Sequence, residues 1–257
     1  MTRIASSKLT IRLFILTALS FSLWFFSGKA GSTPQENKEI AVDIIKQLEP
    51  TGGVIPVEIR CAPAHLTAPN QVETLDCKLK NSTSKNITAA NIIYSIVLAE
   101  NGSVSRDTHN SFLEALVHPD FKDLNKLIGP GEERFVGPAG PISYPAAVIK
   151  TVEMGIDYVE FEDGTTLGPD EQGSQITKSI RAGAAKYKGW LSRKYIQSGE
   201  SAEAIIPLLQ QESALPDEIG SLDQYQEIGA KAYRDSLRRA CQTRGKSEVK
   251  KLTANHN

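Results

Sequence analysis

Residues 75–102 read LDCKLKNSTSKNITAANIIYSIVLAENG, and the fold turns on how that stretch alternates. Leu75, Cys77 and Leu79 fall on one side of an extended chain, with Thr74, Asp76 and Lys78 on the other, since strand side chains alternate with a period of two. Residues 89–99 form the most apolar candidate strand: Ile92, Tyr94, Ile96 and Leu98 share one face, Ile93 and Val97 the other. Apolar groups on both faces predict a central strand covered on both sides. Asn101-Gly102 ends it in a tight turn, because both residue types tolerate a positive φ.

The same period extends outward. Val54-Ile55-Pro56-Val57-Glu58-Ile59 reads as an edge strand, since Pro56 has no N–H for a central ladder. Phe112, Leu113, Leu116 and Val117 in residues 110–128 fit a short helix as well as a strand. Pro130-Gly131 turns the chain into Arg134-Phe135-Val136, and Pro138, Pro141 and Pro145 predict a loop. Residues 147–161 make a long strand with Val148, Val152 and Met154 inward; Gly155 marks a bulge that resets the register to Val159 and Phe161. Asp163-Gly164 before Thr165-Thr166-Leu167 signals a hairpin. Roughly six to eight short strands at this spacing predict a β-sandwich over residues 51–174.

Helical patterns flank it. Thr33-Pro34-Gln35-Glu36 has the layout of a capping box with proline at the first helical position. Ala41, Ile44, Ile45 and Leu48 then follow one helix face, predicting an N-terminal helix over residues 31–50 that Pro50 and Gly52-Gly53 stop. A C-terminal helical extension is predicted over residues 175–257. Ile180, Ala184, Tyr187, Leu191 and Tyr195 are spaced for one buried face with Trp190 beside them; Pro207 interrupts a second patch at 202–213. The last helix starts at a Ser221-Leu-Asp-Gln224 capping box, runs toward Lys250 and lays down Leu222, Tyr225, Ile228, Ala232, Tyr233 and Leu237. The expected class is therefore mainly β with α, a sandwich with helices at both ends.

The amino terminus sets the compartment. Residues 1–30 hold Arg3, Lys8, Arg12 and Lys29 and no acid, around the uncharged run LFILTALSFSLWFF at residues 13–26. A basic start, a short apolar run and the small residues of Gly28-Lys29-Ala30 make a secretory signal with a cut after Ala30. The alternative is an uncleaved anchor, but residues 13–28 number sixteen, against the roughly 20 a spanning helix needs. The expected location is periplasmic or secreted, or membrane-tethered if the segment stays. Without residues 1–30 the 29 basic residues fall to 25 against 30 acids, so the near-neutral total of -1 is a cancellation between segments. With 40% apolar residues and three cysteines in 257, the chain is no nucleic-acid coat, wholly disordered chain, disulfide-dense miniature or multi-spanning membrane protein.

Residues 75–102 also resemble the secreted bacterial immunoglobulin-like domains of the FxLYD type, in which a strand ending in Lys-Asn passes a Ser/Thr turn into an aromatic-rich strand closed by an acid and a glycine. Ile96, Leu98, Ala99 and Glu100 stand where the family has Phe, Leu, Tyr and Asp, so only the leucine is identical. Ile128-Gly-Pro-Gly-Glu132 is similar to a later turn of such domains, and residues 157–169 look like the closing hairpin of bacterial envelope proteins. The resemblance covers roughly half of the chain beyond residue 30. It implies an immunoglobulin-like sandwich, and it brings no catalytic residues.

Candidate chemistry is sparse. In an oxidising compartment Cys61 and Cys77, on or beside neighbouring strands, can pair, although three cysteines allow three pairings. A reactive Cys241 would need a depressed pKa, which Arg238, Arg239 and Arg244 could supply; a buried or dimer-linking thiol is the plainer reading. His65, His109, His118 and His256 lack metal-ligand spacing. His118-Pro119-Asp120 matches a co-chaperone tripeptide by coincidence, Arg244-Gly245-Lys246-Ser247 lacks the glycine of a phosphate loop, and no Gly-x-Ser-x-Gly elbow occurs. No cofactor or catalytic residue is assigned. Glu160, Glu162, Asp163, Asp170 and Glu171 crowd the hairpin without calcium-loop spacing. Asn81-Ser-Thr, Asn86-Ile-Thr and Asn101-Gly-Ser are sequons that a bacterial host would use as turns.

The sharpest feature is a basic face on the helix at residues 177–197, made by Lys178, Arg181, Lys186, Lys188 and Arg193 with Trp190 near it. Such a face meets an acidic partner or an anionic membrane surface, or is the solvated side of a helix whose aromatic stripe is core. Together these readings point to an exported, non-enzymatic binding protein of the envelope, contacting an envelope protein or another copy and no nucleic acid. The alternatives are an extracellular hydrolase using hairpin carboxylates and a helix-mediated oligomeric structural protein.

Overall fold

The computed structural model describes residues 38–50, 53–117, 126–138, 140–210 and 214–249. The expected export signal, the expected cap residues Thr33 and Glu36, and His118-Pro119-Asp120 lie outside the described residues. Within them the chain is mixed α/β: three sheets of mostly antiparallel strands, then a helical region.

Residues 38–46 correct the expected N-terminal helix. They form two short strands, β1 (Lys38–Ile40) and β2 (Val42–Lys46). Ile40, Val42 and Ile44 alternate as cleanly as the helical set, and these three pack on the core while Ile45 stays exposed. Their β-branched side chains suit an extended chain, and two open sheet edges are there to be paired. The expected edge strand begins just past Pro56 as β3 (Val57–Cys61). It is followed by β4 (Ala64–Ala68), β5 (Gln71–Thr74), β6 (Cys77–Asn81), β7 (Ile87–Glu100) and β8 (Ser103–Glu114). The ambiguous stretch continues β8 to Glu114 before a turn of 3-10 helix, Ala115–Val117. Next come β9 (Glu133–Phe135), β10 (Ile142–Ser143), β11 (Val148–Phe161) and β12 (Thr166–Leu167). The expected proline loop therefore holds one short strand, β10.

One sheet runs β1-β4-β5-β10 and a second β3-β6-β9, with β3 at its edge. The third runs β12-β11-β7-β8, and β2 pairs in parallel with β11 along residues 152–155. The apolar strand read from residues 89–99 is central there, between β11 and β8. Its hairpin turns through Asn101 and Gly102, at φ 49° and 80°, the mirror-image geometry the Asn-Gly pair favours. The Asp163-Gly164 hairpin also forms. Val57, Leu66, Val72, Leu79, Ile92, Ile96, Met154 and Ile156, drawn from all three sheets, meet in one core.

The helical region comprises α1 (Gly173–Gln197), α2 (Ala202–Gln210) and α3 (Gln224–Arg244). α2 runs through Pro207 instead of breaking at it: the missing N–H costs the one intrahelical bond that would return to residue 203. α3 starts later than its capping box suggested, because Asp223, not Ser221, caps it and accepts the N–H of Gln226 at 2.9 Å. It ends at Arg244, where Gly245 takes φ 87°. The aromatic stripe of α1 is core, as its spacing requires: Tyr187, Trp190, Leu191 and Tyr195 pack with Leu209, Tyr233 and Leu237.

α1 and α3 cross at two glycines. A Cβ on Gly183 would lie 1.8 Å from the Gln226 carbonyl oxygen, and one on Gly229 would lie 2.0 Å from that of Ile180. Tyr187 and Tyr233, four residues beyond each glycine, bring their rings to 6.4 Å. The helices therefore run in the same direction, with like ends together.

Candidate functional site

Three sets of contacts position the helices on the third sheet, and they determine what chemistry is left over. The first starts at the β11 irregularity, where the register with β7 shifts between Ile156 and Tyr158. The extra residue is Asp157, fully buried. Its carboxylate accepts the backbone N–H groups of Glu171 (2.8 Å), Gln172 (3.2 Å) and Gly173 (2.7 Å), donors at the start of α1 that have no intrahelical acceptor. Asn91 Nδ2 donates to it at 3.0 Å. Gln172, the residue in the cap position, makes no side-chain cap of its own. A strand residue thus caps the helix, and Gly168 and Gly173 allow the approach because a Cβ on either would strike the Asp157 carbonyl or the Tyr158 side chain.

The second is ionic. Arg181 Nε donates to Glu114 Oε2 at 2.9 Å, and its Nη1 donates to both oxygens of Glu160 at 2.9 and 3.0 Å. Tyr158 donates its hydroxyl to Glu160 Oε2 at 2.6 Å, and burial followed by that bond pushes the phenol well above its usual range. The third is looser: the Phe112 and Tyr225 rings meet edge-on, and Ser236 Oγ donates to the Val117 carbonyl.

These contacts divide the basic face of α1. Arg181 is spent between β8 and β11, and Lys186 donates to the Ser221 carbonyl and Gln226 Oε1. Trp190 is buried, its Nε1 donating to Glu218 Oε2 at 3.0 Å, so a membrane contact would lack its aromatic anchor. Lys178 and Arg193 are exposed, Lys188 is half-buried, and none of the three has a hydrogen-bond or ionic partner among the described residues.

The hairpin acids are likewise dispersed. Glu162 accepts from the Asn86 backbone and side chain. Asp163 pairs with Lys85 at 2.6 Å and accepts from Thr165, which holds its carboxyl well below the usual range. Asp170 accepts the Ser174 N–H, and Glu171 pairs with Lys46 at 2.8 Å. They do not converge as an acid–base pair. Asn81, the first sequon residue, is buried and organises its turn through Lys85, Thr83 and Ile128.

Cys61 and Cys77 are disulfide-bonded across β3 and β6. Cys241 is free and half-buried beside Ile206, Leu209, Arg238 and Lys246, and burial pushes its thiol up, against a nucleophilic role. His109 stacks on Tyr94 at 5.1 Å and lies 2.9 Å from Asp107, which also accepts the Tyr144 hydroxyl at 2.7 Å. Among the described residues no group of three or more His, Cys, Asp or Glu could hold a metal ion, and no helix is long and apolar enough to cross a membrane.

Between the starts of α1 and α3 lies a groove of 670 Å³, lined by Glu171, Gln172, Gln175, Ile176, Ser179, Asp223, Gln224 and Tyr225, within the ~300–1,000 Å³ range of small-ligand clefts. Ser179 Oγ donates to the Asp223 carboxylate; the Gln226 N–H first, and then this hydroxyl, draw that carboxyl below its ordinary range. Gln172, Gln175 and Gln224 are exposed and make no side-chain hydrogen bond among the described residues. Sequence reasoning missed this groove because its walls are some fifty residues apart. A signal existed: Gly183-Ala184-x-x-Tyr187 and Gly229-Ala230-x-x-Tyr233 repeat one pattern, each followed by a leucine four residues later, at Leu191 and Leu237. No family model, curated protein or solved structure matches the chain.

Proposed function

We propose that the chain is an exported, non-catalytic binding protein of the cell envelope, a derivative of the immunoglobulin-like sandwich whose helical region carries the contact surface. The observation that carries this reading is how α1 spends its charges. Arg181 is consumed in fixing the helix to the sheet, while Lys178, Lys188 and Arg193 have no partner among the described residues. The hairpin carboxylates are engaged as turn and cap acceptors. The Cys61–Cys77 disulfide supports an oxidising compartment, and three sheets closing on one core support a sandwich ancestry. The partner is an acidic protein surface, met through the exposed side of α1.

Site-specific photocrosslinking in an exporting bacterial host tests the reading. A crosslinker at Lys178 or Arg193 is expected to trap an adduct of discrete mass that one at Lys78, exposed on β6, does not. Equal trapping from all three positions, or none from any, would overturn it.

A further inference from the structure

We propose that the groove between the starts of α1 and α3 is a binding site for a neutral saccharide; this rests on, and deepens, the reading of the chain as a binding protein. Both carboxylates on the wall already have partners, one ionic and one made of neutral hydrogen-bond donors. Glu171 faces Lys46 at 2.8 Å, and Asp223 accepts from Ser179 and from the first turn of α3. No lysine, arginine or histidine lines the groove, so nothing selects an anion, and the carboxylates are too committed to select a cation.

What remains unspent is neutral. Gln172, Gln175 and Gln224 present three planar amides, each with two donors and two acceptor sites, and none is used within the described residues. A planar amide offers a donor and an acceptor side by side, matching the adjacent hydroxyls of a sugar ring, each of which both gives and takes a hydrogen bond. Tyr225 is half-buried, its ring held edge-on by Phe112, and it supplies the apolar surface on which the C–H side of a pyranose rests. Ile176, buried, closes the floor. The parallel course of α1 and α3 brings these groups together, because like ends of the two helices open on one side.

The full chain, exported and recovered from the envelope, would be passed over immobilised oligosaccharides of glucose, mannose, galactose and N-acetylglucosamine, with heparin as a sulfated control. At least one neutral ligand is expected to be retained and not displaced by heparin. Gln175→Ala and Gln224→Ala should each weaken its Kd about tenfold, and Tyr225→Leu more. Both glutamines are exposed and make no side-chain hydrogen bond among the described residues, so an unchanged melting temperature confirms that the variants fold. Retention of heparin alone, no retention, or an affinity unmoved in the double glutamine variant overturns the proposal. If the crosslinks from Lys178 and Arg193 persist while no sugar is retained, the ligand class fails and the binding reading stands. If a retained sugar is recovered shortened by mass spectrometry, the ligand class stands and the non-catalytic reading fails.

Discussion

Asp157 concentrates more structure in one side chain than any residue the sequence singled out. Its buried carboxylate satisfies three donors at the start of α1 and one from Asn91. Hydrogen bonds to a charged group contribute ~1.5–3 kcal/mol each and do not add. Asp157→Ala is therefore expected to lose on the order of 3 kcal/mol in urea unfolding. Asp157→Asn should recover only part of that, since its amide turns one donor toward donors; stabilities within about 0.5 kcal/mol of wild type for both would refute the cap. The bulge was legible nearby, in Gly155, but the cap was not, because its donors return to β11 only through the turn at Gly168. Asp107 offers a second test. The Tyr144 hydroxyl first, then His109, hold its carboxyl below the usual range against opposing desolvation. A depressed carboxyl stabilises the fold above its unfolded pKa of ~3.9 and loses that contribution as pH falls through its lower folded value. Tyr144→Phe should move the Asp107 titration upward in carboxyl-resolved NMR. A titration that does not move would remove Tyr144 as the cause.

At the scale of elements, the crossing of α1 and α3 is the most demanding contact. Neither Gly183 nor Gly229 has room for a methyl group, and each abuts rigid backbone, so only a helix shift can relieve the clash. Gly183→Ala and Gly229→Ala are each expected to destabilise by about 3 kcal/mol or more, despite alanine's better helix propensity. Because either one separates the helices, the double variant should cost less than the sum. Additive losses in chemical unfolding would show that the two positions do not share a contact. The strands were legible because period two survives in a core shared by three sheets, and β7 was placed centrally from its two apolar faces alone. The segment at residues 38–46 was not, since Ile40, Val42 and Ile44 satisfy a strand while Ala41, Ile44 and Leu48 satisfy a helix. Open edges on β4 and β11 decide between them, and an edge is a property of the assembled sheet. The groove was hidden for a similar reason: Gln175 and Gln224 become neighbours only once two glycines have set the helices in parallel.

The whole molecule depends on how a disulfide-stapled β region and a separate helical core are joined. Each has its own cluster of buried side chains, yet Asp157, Arg181 and the Phe112–Tyr225 contact bind α1 and α3 to β7, β8 and β11. Closing the Cys61–Cys77 loop of sixteen residues stabilises the β region by about 3 kcal/mol on chain entropy. The helical core holds no disulfide among the described residues, so without the junction it would open at lower free energy. Native-state hydrogen exchange separates these cases. In the wild type, slow amides of α1 and α3 are expected to exchange at the same global free energy as those of β7 and β11. Arg181→Ala removes the guanidinium that bridges Glu114, almost wholly buried, and Glu160, and breaking such a bridge costs about 3 kcal/mol. The loss should fall unequally, with α1 and α3 exchanging sooner than β7 and β11. Reducing the disulfide should instead lower the β amides at least as far as the helical ones. A wild type whose helices already exchange ahead of its sheets would mean that Arg181 and Asp157 orient the helical region without adding to its stability.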